Sequence, residues 1–396
     1  MSAFDIAVVG AGPAGIAAAC RAAENGARVV VIDDNPAPGG QIWRGEKSEP
    51  WIERFKRSGA VLERDTAVDE RVRQRGAKLI LATGARELFL PFPGWTLPGV
   101  TGVGGLQALI KSGLAVKGMR VVIAGSGPLL LAAASLARSK GAVVRLVAEQ
   151  APGGRVTGFA GALWRHPGKA LQGAELILTL IGVRYDAGCF VEEACGEGQV
   201  EHVRVRRGER AWEEKCDLLA VGFGLVPNTE LAALLGCDLD SGFVRTGDWQ
   251  QTSVPGVYAA GELTGIGGVE KSLVEGEIAG LAAAGREADA ERLFSRRASW
   301  KRFAARLQSA FALEPVLKKL AREDTCVCRC EDVPLSELKG RASWREAKLQ
   351  TRCGMGSCQG RICGAATREI LGWGADSVRP PAFPTKVRNL IESKSS

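Results

Sequence analysis

Residues 5–34 read DIAVVGAGPAGIAAACRAAENGARVVVIDD. Ile6–Val9 is an unbroken apolar run, suited to a strand buried on both faces. Gly10, Gly12 and Gly15 follow in the spacing G-x-G-x-x-G, with Pro13 and Ala14 between the last two. An Ala-rich helix comes next. Arg28–Ile32 gives a second strand that ends on Asp33 and Asp34. Each part has a physical role. Gly10 permits a tight turn, Gly12 lets the backbone approach a pyrophosphate, and Gly15 lets the helix pack closely on the strand. The helix N-terminus offers free N–H groups to phosphates, and the Asp33 carboxylate can accept ribose hydroxyls. A lone glycine triplet is weak evidence, but strand, glycines, helix, strand and acid in order predict a dinucleotide-binding βαβ unit rather than a purely structural turn.

The theme recurs. Val121–Gln150 read VVIAGSGPLLLAAASLARSKGAVVRLVAEQ, with Gly125 and Gly127 in place and Glu149 at the end of the second strand. Leu130 stands where close helix–strand packing prefers Gly or Ala. The fold is expected to persist, while use of this site by a pyridine nucleotide is in question. Its alternatives are a vestigial site or an adenine nucleotide without redox activity. There is no C-x-x-C pair for a disulfide relay. His166 and His202 are the only histidines and read as surface or packing residues, so no acid–base catalyst is nominated.

Four further segments bear on which dinucleotide the first fold takes. LILATGAR (79–86), with Ala82, Thr83 and Gly84, resembles the ATG motif of two-dinucleotide flavoproteins. TSVPGVYAAGE (252–262) resembles their second flavin motif, with Gly261 and, where Asp is more usual, Glu262. EGEIAG (275–280) resembles the helix that follows and aims its N-terminus at the flavin ring. PGGQ (38–41), with Gly40 and Gln41, resembles the flavin-lining loop of thioredoxin-reductase-like members. Together these resemblances imply FAD.

Six of the eleven cysteines crowd between Cys326 and Cys363, in CVCRCED (326–332) and TRCGMGSCQGRICG (351–364). In a reducing compartment such crowding argues for a metal centre rather than disulfides. A [2Fe–2S] centre needs four thiolates. Cys328 with Cys330 makes C-x-C, and Cys358 with Cys363 makes C-x4-C; Cys326 and Cys353 are then spare. Cys326 with Cys328 also makes C-x-C, so spacing alone leaves the ligand set open. Structural zinc is the alternative, although four-cysteine zinc sites more often show C-x2–4-C in both halves. A flavin in the same chain favours the cluster, because it joins two-electron to one-electron transfer.

The remaining composition bounds the reading. The chain has 396 residues, 46% of them hydrophobic, enough for two or three cores. The net charge is +8, but the basic residues are dispersed, and the clusters at Arg204–Arg210 and Arg296–Arg306 read as solvated faces, so no nucleic-acid partner is expected. No run reaches the roughly 18 uncharged apolar residues that span a bilayer. The apolar N-terminal stretch lacks a basic leader and reads as a buried strand and helix. A cytoplasmic location is expected, a place peripheral to the inner membrane being compatible with it.

PFPGWTLPGV (Pro91–Val100), GGLQALIKSG, GSGPLLLAAASL, VCRCEDV and GMGSCQGRICG together resemble the FAD- and [2Fe–2S]-containing α subunits of heteromeric amino-acid dehydrogenases. The family includes the A subunit of opine oxidase, the α subunit of D-hydroxyproline dehydrogenase and the B subunit of hydrogen cyanide synthase. The resemblance covers nearly the whole chain. It implies an α/β, thioredoxin-reductase-like flavoprotein of two dinucleotide-binding domains. A small α-rich C-terminal domain of the bacterioferritin-associated-ferredoxin type is implied as well, with cluster ligands Cys328, Cys330, Cys358 and Cys363. It further implies that an FAD-containing β subunit oxidises the amino acid at its C–N bond while this chain passes electrons to an acceptor. Some members add an interfacial flavin such as FMN or a small iron–sulfur γ subunit. The distance from Trp43 to Leu79 is shorter than the family's pattern, so the β-meander that interrupts the FAD fold is expected to be trimmed.

The domain plan is an FAD domain of 1–100 with 215–290, a second dinucleotide domain of 101–214, a helical linker of 291–322, a cluster domain of 323–375, and a Pro-containing tail of 376–396 whose stretch Val378–Val387 reads as extended. Trp300, Phe303, Leu307 and Phe311 recur at helical spacing and read as core packing against the FAD domain. Two other functions are weighed: a self-contained NAD(P)H-dependent reductase, supported by Gly125, Gly127 and Glu149, and a non-catalytic scaffold or redox sensor.

Overall fold

Phe4–Val9 is the central strand of a five-stranded parallel sheet in the computed structural model, which describes residues 4–44, 49–66, 70–374 and 378. It lies between Val29–Ile32 and Gly76–Leu81, with Val61–Glu63 and Val257–Ala259 at the edges. All four residues of Val29–Ile32 are buried, as both-face coverage by helices requires. The helix Pro13–Glu24 begins on an extended Gly12 with Pro13 in its first turn, where a missing N–H costs nothing. It stops at Asn25, before a left-handed Gly26. Between Ile32 and Gly76 the described residues form only the helix Pro50–Arg57, the strand Val61–Glu63 and a 3-10 turn, so no β-meander stands there.

The helix Gly268–Ala283 is buried over most of its length. Its glycines explain how it lies so close to Pro13–Glu24: a methyl on Gly276 would fall 2.1 Å from the Ala14 carbonyl oxygen, and one on Gly280 2.2 Å from that of Ala18. EGEIAG lies in this helix, as its reading expects: residues 275–280 are its middle, where they make the helix–helix contact, and its N-terminus is at Gly268.

The chain divides into two compact units. One runs to Arg86 and resumes over Pro227–Ala305; the other comprises Glu87–Val226 and the chain from Arg306 to residue 374. These limits differ from 100/101 and 214/215 for a structural reason. Leu218–Gly222 is a strand of the second sheet, paired with Arg120–Gly125 and Val100–Gly102. Leu88, Leu90, Phe92 and Trp95 pack in the second unit's core with Val122, Leu146 and Leu219. That second sheet is also five-stranded and parallel, completed by Val143–Glu149 and Tyr185–Ala187. A three-stranded antiparallel sheet, Phe190–Cys195, His202–Arg207 and Arg210–Lys215, belongs to the same unit.

The expected linker is the helix Phe294–Ala310 followed by a 3-10 turn at Pro315–Lys319. Trp300 packs edge-on against Phe303 and against the core of Val274 and Ile278. The cysteine domain holds a short hairpin, Cys326–Cys328 with Val333–Pro334, and helices Trp344–Thr351 and Cys363–Leu371 around Val327, Leu338 and Trp344. Ser343 caps the first of these helices by accepting the Glu346 N–H, while the Glu346 carboxylate accepts the Ala342 N–H, close to a capping box. Among the described residues no helix is long and apolar enough to cross a membrane. The tail from Arg379 lies outside the described residues.

Candidate cofactor sites

Three strands of the first unit end together. Phe4–Val9 runs into Gly10, Gly76–Leu81 into Ala82, and Val257–Ala259 into Ala260 and Gly261; Ala82 N–H donates to the Val9 carbonyl and Ala260 N–H to that of Leu81. This is where an open parallel sheet takes its ligand. Gly10 has φ +102°, and a methyl there would lie 2.3 Å from the Ala82 carbonyl oxygen. A methyl on Gly15 would lie 1.8 Å from the Gly10 oxygen. A methyl on Gly12 would meet nothing within 4 Å among the described residues, so they leave open the face where a pyrophosphate would approach. The Asp33 carboxylate accepts the backbone N–H groups of Ala11 and Asn35. Asp34 is exposed and bonded by the Asn35 amide. The PGGQ loop sits on the same turn: Gly39 N–H donates to the Ala11 carbonyl, left-handed Gly40 lies against Gly12, and Gln41 is exposed.

The ATG turn is clamped by a residue the sequence did not reveal. Asn228 Nδ2 donates to the Thr83 carbonyl at 2.8 Å, Thr83 Oγ1 donates to the Asn228 carbonyl at 2.7 Å, and the Asn228 N–H donates to Gly84 O. Arg86 fixes Asn228 in turn and pairs with Glu230 at 2.8 Å.

Glu262 folds onto the start of the long helix. Its carboxylate accepts the Gly268 N–H at 2.8 Å and lies near that of Gly267, where the helix dipole favours an anion. Burial pushes its carboxyl above the usual range, and the Gly268 N–H opposes that shift. Lys271 and Glu275 form a buried ion pair at 2.6 Å, and Lys271 also donates to the Gly261 carbonyl and to Thr264. One Glu275 oxygen has no partner among the described residues in its buried setting. Removing one member of such a pair would strand the other.

In the second unit Gly125 and Gly127 hold the same turn. A methyl on Gly125 would lie 1.9 Å from the Gly222 oxygen. Leu130 is buried under the turn, so the helix Leu129–Ser139 tolerates the larger residue. The Glu149 carboxylate accepts the Gly127 N–H at 2.7 Å and the Ala151 N–H at 2.8 Å. Burial pushes it up to about 7.

The cysteine domain gathers its thiols in two groups. The sulfurs of Cys328, Cys353 and Cys363 all lie within 4.8 Å of one another and are buried. Cys330 is exposed and Cys358 half-buried; they meet where the Cys358 N–H and the Ser357 hydroxyl hold the Cys330 thiol below its ordinary value. Gly354 donates its N–H to the Cys328 sulfur at 3.4 Å. The glycine loop is shaped by the Trp344 ring, which a methyl on Gly354 would strike at 2.4 Å. Arg352, in a left-handed conformation, ends the preceding helix and pairs with Glu331, which sets Cys353 inward. Cys326 is half-buried, and its carbonyl accepts the Trp95 indole N–H.

Two dinucleotide folds, one with an open glycine turn, joined to a domain of gathered thiols, define a redox protein of the two-dinucleotide-domain class. The chain belongs to the pyridine nucleotide-disulphide oxidoreductase family, whose model matches residues 4–288, and within it groups with the A subunit of opine oxidase. It is 35% identical to that opine oxidase chain of Rhizobium meliloti strain 1021, over 99% of this chain and 100% of that protein. It is 33% identical to "Hydrogen cyanide synthase subunit HcnB" of Pseudomonas aeruginosa, over 94% and 92%. The first of these alignments runs over 464 positions against a chain of 396 residues, so segments present in that relative are missing here. Among solved structures, the fold is shared with L-proline dehydrogenase from P. horikoshii (TM-score 0.65, 18% identity, 97% of this chain and 78% of that one). It is also shared with thioredoxin reductase from T. acidophilum (TM-score 0.55, 22% identity, 72% and 99%). The chain is therefore an oxidoreductase of an FAD-binding family, related to proteins that are subunits of larger enzymes.

Proposed function

We propose that this chain is the electron-transferring α subunit of a heteromeric dehydrogenase that acts on the C–N bond of an amino acid or opine, the substrate being oxidised on a partner β subunit. The observation that carries the reading is the pairing, in one chain, of a single open glycine turn with a gathered set of thiols, in a sequence that has no C-x-x-C pair. FAD fits the first fold. Gly10, Gly12 and Gly15 form its cradle, Asp33 serves the ribose, and Ala82–Gly84, Gly40, Gln41, Gly261 and Glu262 line the remainder. Bound there, FAD would take electrons as a pair and release them singly. The chain's own residues hold the flavin and leave no substrate base to be named.

An all-sulfur donor set suits an iron–sulfur cluster or zinc. We assign a [2Fe–2S] centre to Cys328, Cys330, Cys358 and Cys363. Cys353, buried against two of these, is the competing ligand. Cys353→Ser is expected to keep the iron and acid-labile sulfide of the purified chain unchanged, while Cys358→Ser loses both. The reverse pattern would exchange the two assignments.

The reading is tested by metal and sulfide analysis of the chain co-expressed with its genomic neighbours. About two irons and two sulfides per copy of this chain, with a reduced-state paramagnetic signal, are expected. Zinc in place of iron would overturn the electron-transfer role.

A further inference from the structure

Among the described residues, the second nucleotide fold contains a feature that the first does not. After the helix Phe294–Ala310 the chain turns, and Phe311–Glu314 lies across the glycine turn of that fold. The Ser126 hydroxyl, inside the turn, donates to the Phe311 carbonyl at 2.8 Å. The Phe311 ring faces Gly127: a methyl on Gly127 would lie 3.8 Å from its Cγ, where the matching methyl on Gly12 meets nothing within 4 Å. Gln150, itself 3% exposed, grips the next residues. Its Nε2 donates to Ser126 Oγ at 2.8 Å and to the Ala312 carbonyl at 3.1 Å, and its Oε1 accepts the Glu314 N–H at 2.9 Å. Phe159 packs edge-on against Phe311 at 5.3 Å, Arg155 pairs with Glu314 at 2.7 Å, and Leu313 packs against the core of the second unit.

The placement matters because of what a dinucleotide would need. Its pyrophosphate lies against the second glycine of the turn, and its adenosine ribose reaches the acid at the end of the second strand. Here Gly127 is that glycine and Glu149 that acid. The segment runs from the one to the neighbour of the other: Phe311 stands at Gly127, and residues 312 and 314 are held by Gln150. Both folds tie their acid to local backbone N–H groups, so that feature does not distinguish them. The segment does.

We infer that Phe311–Glu314 is a built-in plug that occupies the dinucleotide track of the second fold and so sets the donor specificity of this chain, excluding NAD(P)H. The inference deepens the proposed electron-transfer role and rests on it only in naming the consequence. Its test therefore uses ADP-ribose, which carries the adenosine and pyrophosphate but no hydride, so that binding is read apart from flavin reduction and apart from metal content.

The full-length, flavin-loaded chain is titrated with ADP-ribose by calorimetry. The native chain is expected to bind nothing at about 1 mM. Phe311→Gly combined with Gln150→Ala is expected to gain at least about tenfold in affinity. Micromolar binding by the native chain overturns the plug. So does a folded variant, with native circular dichroism and full FAD content, that binds no better than the native chain. Should the double variant not fold, Phe311→Ala is titrated in its place, and hydrogen exchange of the native chain supplies a second readout. The Glu314 amide is expected to remain equally protected with and without ADP-ribose; faster exchange on adding ADP-ribose would mean that the segment is displaced and the site usable.

Discussion

The two dinucleotide folds of this chain share a plan and differ in access. Both set a glycine turn at the end of a central parallel strand, and both place a buried acid at the end of the next strand. In the first, the space over Gly12 is open and the turn is framed by the PGGQ loop and the ATG turn. In the second, the third glycine has become Leu130 and the space over Gly127 is lined by Phe311. A shared plan is therefore not the same as a usable site. The backbone keeps the turn because Gly125 must pass within contact of Gly222, whether or not a ligand is bound.

The largest effect is expected at Gly12. A methyl there meets nothing within 4 Å among the described residues, so the fold is expected to survive a valine while the flavin is lost. Gly12→Val should purify folded, by circular dichroism, with at least about tenfold less FAD, since one displaced phosphate contact costs more than about 1.4 kcal/mol. A yellow Gly12→Val protein would remove the first fold as the flavin site.

The second fold is expected to respond in stability instead. Leu130→Ala empties a fully buried position and should cost about 3 kcal/mol, read by chemical denaturation, with FAD content unchanged. Loss of FAD from this variant would mean that the two folds do not act separately.

A smaller effect sharpens the contrast through pH. Burial lifts Glu149 from its ordinary 4.5 to about 7. A carboxyl raised in the folded state holds its proton more tightly there than in the unfolded chain. Its contribution is therefore most favourable below the unfolded value and is lost as pH rises through about 7. The total is at most about 3 kcal/mol, and less as the two N–H donors relax around the anion. Glu149→Gln should flatten the fall in melting temperature between about pH 5 and pH 8; an unchanged slope would assign it to other groups.

Much of this was legible in the sequence, and the rest was not, for identifiable reasons. The first βαβ unit, the second one and the cysteine domain are local patterns, written in consecutive residues. Asn228 clamps Thr83 from 145 positions away, and Phe311 meets Ser126 from 185 positions away; neither contact has a local signature. Helical spacing read Phe311 as continuing the face of Trp300, Phe303 and Leu307, but the helix ends at Ala310 and the ring turns to Gly127. The division at Arg86 and Pro227 was hidden because Leu218–Gly222 joins the second sheet only by pairing with strands far upstream. Cys353 read as spare by spacing, yet the fold buries it with Cys328 and Cys363.

In the proposed function, electrons enter this chain from a partner and not from a pyridine nucleotide. The most direct test is an anaerobic visible spectrum of the purified, flavin-loaded chain before and after adding NADH or NADPH. The flavin bands are expected to be bleached by neither nucleotide. Rapid bleaching by either one would contradict the proposed function and make the chain a self-contained reductase.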